Sequence, residues 1–296
     1  MQTLSRGWSF LTQAWKMAFT DKDLIKPSVY ALFVGFLVSI LGAITTILAV
    51  LNLGSSNTTA QIILIILALV FVFASYIISY VFSAMTVYLI YGYLAEGDGR
   101  MDKAWAIVRR DLFDLITLAA ASTVANAFKR SVKGKGRSQA RNFMANTLET
   151  LWTEFAFLIL PAMVIEDINL KDGIKRATQI ARDNLLLVGV STVGVKVVTG
   201  LIGVLLGLVG AALGVGAGYG LVSLLGEGIL GIVAAIGLGV PIFFIFILAA
   251  IIINTYTGTA YHTCLYLWAR DVERARQTGK AALKVAAPAP LAAALK

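Results

Sequence analysis

Three charged residues stand inside or beside long apolar runs: Asp114, Glu154 and Lys196. A charge at the centre of a membrane helix costs about 2.5–3.5 kcal/mol on insertion scales, so such residues often mark an ion pair or a pathway. The plainer reading puts each near a helix end, at headgroup level, where that cost mostly disappears. Asp114 lies close to the start of its segment, and Lys196 has a stem long enough to snorkel. Should they meet, an Asp114 or Glu154 pair with Lys196 forms a buried polar cluster.

Other chemistry is sparse. His262 and Cys264 are the only histidine and cysteine, and no triad-like spacing joins them to the nearby hydroxyls. One cysteine excludes an internal disulfide framework, and one histidine removes most zinc and two-histidine arguments. The acidic turns Glu96, Asp98 and Glu166, Asp167, Asn169 suggest a hard-cation site, but such an ion needs about six convergent oxygens. Acids beside the positive end of a helix explain them more simply, with Asp167 or Asn169 as a cap. The glycine run 214–220 lacks the Gly-Lys-Ser/Thr ending of a phosphate loop. The reading is of no catalytic residue, no metal and no cofactor.

The strongest interaction signal is basic. Lys129, Arg130, Lys133, Lys135, Arg137 and Arg141 fall in one stretch without an acid between them. Each cation near an anionic leaflet contributes about 1 kcal/mol, which makes lipid headgroups the expected partner. No aromatic interleaving supports base stacking, so nucleic acid is not expected.

The elements that must carry these residues are membrane helices. Of 296 residues 58% are hydrophobic and 14% charged, with a mean hydropathy of +0.83 and a net charge of +9. Apolar runs at about 27–52, 61–93, 112–128, 148–165, 185–215 and 229–258 approach or exceed the roughly 20 residues that cross a bilayer. The expected fold is all-α, a polytopic bundle of about six membrane helices with the third and fourth short or re-entrant. The second run is too long for a perpendicular span and must tilt or project. The third is weakened by Asp114, Thr117, Ser122, Thr123 and Asn126.

Amphipathic segments accompany these runs. In 1–26, Leu4, Trp8, Leu11, Trp15 and Phe19 recur at helical spacing, and tryptophan flanked by cations suits a helix lying in the interface plane. Trp8, Trp15 and Trp105 are the expected interface anchors. Residues 94–111 and 166–183 both run from an acidic turn through a basic helix to Arg-Asp. The pattern is a repeat of one in-plane helix followed by membrane helices. The expected organisation is a single membrane domain over 1–270 and a flexible cytoplasmic tail over 271–296.

All but Lys196 of the 25 Lys/Arg fall in 1–26, 94–111, 129–142, 166–183 and 259–296, and none in the links 53–60 and 216–228. The positive-inside rule then puts both termini in the cytoplasm. A strict six-span topology leaves the basic loop outside; a short re-entrant pair satisfies every loop. In the fifth helix Gly200, Gly203, Gly207, Gly210 and Gly214 give small-xxx-small pairs that let helices approach closely, within a chain or between chains.

Arg6-Gly7-Trp8, Asp21-Lys22, Phe157 to Pro161, Glu166, Gly173-Ile174-Lys175-Arg176-Ala177, Tyr261 and the run from Tyr266 to Ala269 resemble a family of uncharacterised bacterial integral membrane proteins, classed only as a domain of unknown function. The likeness covers most of the chain to about residue 270. More remotely, the step from proline to glutamate and the basic helix look like the membrane domain of some glycerophosphodiester phosphodiesterases. The resemblance implies an architecture in the bacterial inner membrane and no activity. The expected role is a non-enzymatic scaffold or assembly subunit that binds lipid and packs into an oligomer. The rival expectation is a transporter or channel for a lipid-like or small solute.

Overall fold

The computed structural model describes residues 2–53, 58–132, 139–183, 185–226, 228–278 and 285–295, and every regular element in them is helical. The elements follow one order three times. Helix α1 (Gln2–Thr20) precedes α2 (Lys26–Leu53) and α3 (Thr58–Glu96). Helix α4 (Met101–Arg110) precedes α5 (Leu112–Val132) and α6 (Gln139–Glu166). Helix α7 (Leu170–Asp183) precedes α8 (Leu185–Leu225) and α9 (Ile229–Gln277), and α10 (Ala289–Leu295) closes the chain.

Among the described residues, five segments are long and apolar enough to cross a membrane: Lys22–Asn52, Thr58–Glu96, Leu112–Lys129, Val195–Leu225 and Ile229–Gln277. The protein is a multi-pass helical membrane protein. The run expected as a fourth membrane segment forms the second half of α6, and there Ala156, Ile159, Leu160 and Met163 face protein, at 1% exposure or less. It packs against α3, α5, α7 and α9. Its apolarity serves the core.

Two tiers emerge from where the apolar side chains point. Those of α2, of α8 from Val197 onward and of the first halves of α3 and α9 include many exposed large residues, among them Phe33, Leu37, Ile65, Leu208 and Ile245. Helices α3 and α9 then change character. Apart from Ala60 and Gly231, their buried residues begin at Tyr80 and Tyr256. This accounts for the excess length of the second run: about 33 Å of α3, at 1.5 Å per residue, lies in the apolar tier and the rest projects into a packed base. The base also holds α1, α4, α5, α6 and α7 around Phe10, Leu24, Met85, Leu115, Ile159 and Tyr261.

The polar residues of α5 have partners in that base. Ser122 Oγ lies 2.6 Å from Tyr80 Oη and accepts from Trp152 Nε1 at 2.9 Å. Asn126 Nδ2 donates to Tyr76 Oη at 3.5 Å, and Thr117 and Thr123 bond back to the carbonyls of Phe113 and Ala119. A polar group buried with a partner costs far less than one left alone in hydrocarbon.

Short caps join the repeats. Asp21 Oδ1 accepts from the Asp23 amide at 2.9 Å, and its Oδ2 accepts from the Gly99 amide of the next repeat at 2.7 Å. The chain leaves α3 through Gly97 and α6 through Asp167, both left-handed at φ 80° and 54°, a conformation glycine adopts freely and aspartate tolerates. At the other end, the segment expected to be a flexible tail is partly built into the fold. Helix α9 continues to Gln277, and α10 packs on α1 with Leu291 fully buried. Alanine-rich sequence favours the helix, and the buried Pro290 and Leu291 anchor it.

Candidate functional site

The structure separates one of the three charges singled out by sequence from the other two. Asp114 does not meet Lys196. Its Oδ1 accepts from the Leu170 amide at 3.3 Å, at the start of α7. There Asn169 Oδ1 also accepts from the Asp172 amide at 3.0 Å, while Asn169 Nδ2 donates to Asp172 Oδ2. Free amides at a helix start attract carboxylates and side-chain oxygens. Asp114 and Asn169 are therefore helix caps.

Glu154 and Lys196 do meet, and the only histidine joins them. Helix α6 brings Glu154 to the top of the base, where α8 and α9 converge. Lys196 Nζ from α8 pairs with Glu154 Oε1. On the other oxygen, His262 Nε2 from α9 lies 3.0 Å from Glu154 Oε2. His262 Nδ1 lies 2.7 Å from the Gly258 carbonyl oxygen. Phe157 stacks on the imidazole at 5.2 Å and Tyr261 meets it edge-on. Side-chain exposure falls from 51% at Lys196 to 17% at Glu154 and 7% at His262, so the cluster runs from the protein surface inward.

The hydrogen bonds constrain where protons sit. A carbonyl oxygen only accepts, so His262 Nδ1 carries a hydrogen. The bond between Nε2 and Glu154 then holds one further proton, on the imidazole or on the carboxyl. That bond joins the imidazole to one carboxyl oxygen of Glu154, and Lys196 holds the other. Sequence reading found two of its members and missed His262, because spacing cannot show a partner 108 residues away. The usable signal was physical: a lone acid in an apolar run needs a donor, and only one histidine was present to serve.

A second network ties α7 down. Arg176 bonds Glu166 at the end of α6 and Glu273 on α9, at 3.1 and 2.5 Å. Burial opposes its charge, but the Glu273 hydrogen bond and the Glu166 charge outweigh this and hold the guanidinium above its ordinary pKa. Arg110 bridges to Asp167 at 2.8 Å. The acidic turn thus engages the chain's own cations.

The remaining candidates disperse. Trp8 is exposed and Trp105 partly so, whereas Trp15 donates to Thr257 Oγ1 at 3.1 Å. Helix α1 docks through Phe10, Ala14 and Met17, leaving Leu4, Trp8 and Phe19 outward. Gly210 and Gly214 pack against Phe246 and Gly239 of α9, and Gly207 lies near Ile247, while Gly200 and Gly203 face open space. Lys129 ends the described part of the basic cluster; the side chains of Arg130 and Arg141, and Lys133, Lys135 and Arg137 entirely, lie outside the described residues. No family model and no curated protein matches the chain.

Proposed function

We propose that this chain is a non-enzymatic scaffold or assembly subunit of the bacterial inner membrane, with both termini cytoplasmic, that binds anionic lipid and packs into an oligomer. One observation carries the reading: two apolar hairpins rise from a base whose helices are clamped by buried and partly buried polar contacts. Such a base holds the hairpins at set positions and leaves their outer apolar faces available to lipid or neighbouring helices. The outward Trp8 and Phe19 of α1 support a seat in the headgroup layer. The cations of the repeats, by the positive-inside rule, support the cytoplasmic side for the base. Sizing and cross-linking in native-lipid nanodiscs test this; a higher-order species that retains anionic lipid is expected, and a lipid-indifferent monomer sinks the proposal.

The cluster of Glu154, His262 and Lys196 supports a second reading, transport of a small or lipid-like solute linked to protons. Titratable groups buried beside a membrane helix are frequent parts of proton relays. Flux into proteoliposomes that falls on Lys196→Gln and Glu154→Gln, but not on Asp114→Asn, would favour it.

A further inference from the structure

The base holds a polar feature that neither reading uses. Arg270 lies on the buried half of α9 with its side chain 11% exposed. Its guanidinium sits over the Tyr91 ring, 5.8 Å from the centroid. The Nε is buried and has no hydrogen-bond acceptor among the described residues. Asp271 Oδ1 stands 3.5 Å from that same Nε, an ion-pair contact without hydrogen-bond geometry, on a side chain 45% exposed.

Arg270 also lines a cleft of about 440 Å³ together with Tyr91, Leu94, Leu267, Asp271 and the segment 286–289. The end of α3 forms one wall and α9 the second. The C-terminal segment, held in place by the buried Leu291 of α10, forms the third. The volume falls in the range of small-ligand sites, about 300–1,000 Å³.

We propose that this cleft binds a phosphoryl group, with Arg270 as the residue that holds it. A guanidinium presents a planar fork of donors that matches two oxygens of a phosphate, which a lysine cannot do. Tyr91 keeps the fork flat from one face. Asp271 is the local competitor: it is the neighbouring residue, about half exposed at the cleft, and its contact lacks hydrogen-bond geometry, so a better-placed anion displaces it. The phosphoryl group comes from a soluble phosphate compound or from an anionic lipid headgroup.

The test uses the full chain in two preparations. In phosphatidylcholine nanodiscs, saturable binding of radiolabelled inorganic phosphate is measured by equilibrium dialysis. In nanodiscs containing phosphatidic acid, retained lipid is counted by native mass spectrometry. Arg270→Gln is expected to weaken binding by at least about tenfold, the scale of one hydrogen bond to a charged group. Ala287→Trp fills the cleft without altering the arginine and is expected to lose binding equally, which guards against misfolding of the first variant. Asp271→Asn is expected to bind a few-fold tighter, because a competing charge is gone. Phosphate binding identifies a soluble source, and phosphatidic acid retention without phosphate binding identifies the headgroup. Absence of both, or binding unchanged in Arg270→Gln and Ala287→Trp, overturns the proposal.

Discussion

The two apolar hairpins pack in opposite ways. In the α8/α9 hairpin, glycine faces glycine: a Cβ placed on Gly214 would stand 2.6 Å from the Gly239 carbonyl oxygen, and one on Gly239 equally close to that of Gly214. The two backbones touch. In the α2/α3 hairpin, Gly42 instead meets the Phe71 ring, 3.0 Å from an added Cβ. The ring fills the gap locally but holds the helices apart, and a groove of about 690 Å³ opens beside it, lined by residues such as Ser39, Ala43, Ser75 and Tyr76. Two serine hydroxyls in that groove are satisfied within their own helices, Ser39 by Gly35 and Ser75 by Phe71. Close packing in lipid gains dispersion contacts that a groove forfeits. The α8/α9 hairpin is also bonded to the base through Lys196 and His262. One hairpin is sealed and tethered; the other is open.

The most damaging way to break this difference is Gly214→Val. The opposing atom is backbone and cannot swing aside, so the hairpin must separate, at a cost of about 3 kcal/mol. Thermal unfolding in mild detergent should show the loss, and adding Gly239→Ala should cost less than the sum because both act on one contact. Next comes the tether. Glu154→Gln removes the charge that Lys196 and His262 share and should cost about 2 kcal/mol. His262→Gln, which keeps a donor toward Glu154, should cost less. Equal losses in the two variants would contradict a role for the carboxylate as the common partner.

Gly42→Ala should cost about 1 kcal/mol or less, since a phenyl ring can shift by a few tenths of an ångström. Pairing it with Phe71→Leu should restore the loss, and a loss as large as that of Gly214→Val would show that the open hairpin is as tightly constrained as the sealed one. Gly200→Ala sets the floor. Nothing lies within 4 Å of its added methyl, so the expected change is within about 0.5 kcal/mol.

Much of the chain was legible where the physics is local. Asn169, one of the two residues expected as a cap, is one, as a short polar side chain before a helix would be. The repeated order of a short amphipathic helix and two long ones follows from charge and apolar periodicity. What depended on distant segments was not legible. The small-residue face of α8 was evident, but not that Gly239 would meet it. The polar positions of α5 looked like weakness in a span, although Ser122 and Asn126 were matched to Tyr80, Trp152 and Tyr76. The C-terminal stretch read as a free tail because alanine and proline carry little pattern, although Pro290 and Leu291 are buried against the fold.

By itself, then, the sequence determined the solvent of this protein, its helical class and the order of its short and long helices, because those depend on composition, run length and neighbours within a turn. Only the tertiary structure decided which apolar surface faces lipid and which faces protein. It alone placed Glu154 beside His262 and Asp114 beside α7. Apolar side chains look the same in sequence whether they meet lipid or protein, and a buried charge finds its partner through the fold, across separations that no local pattern encodes.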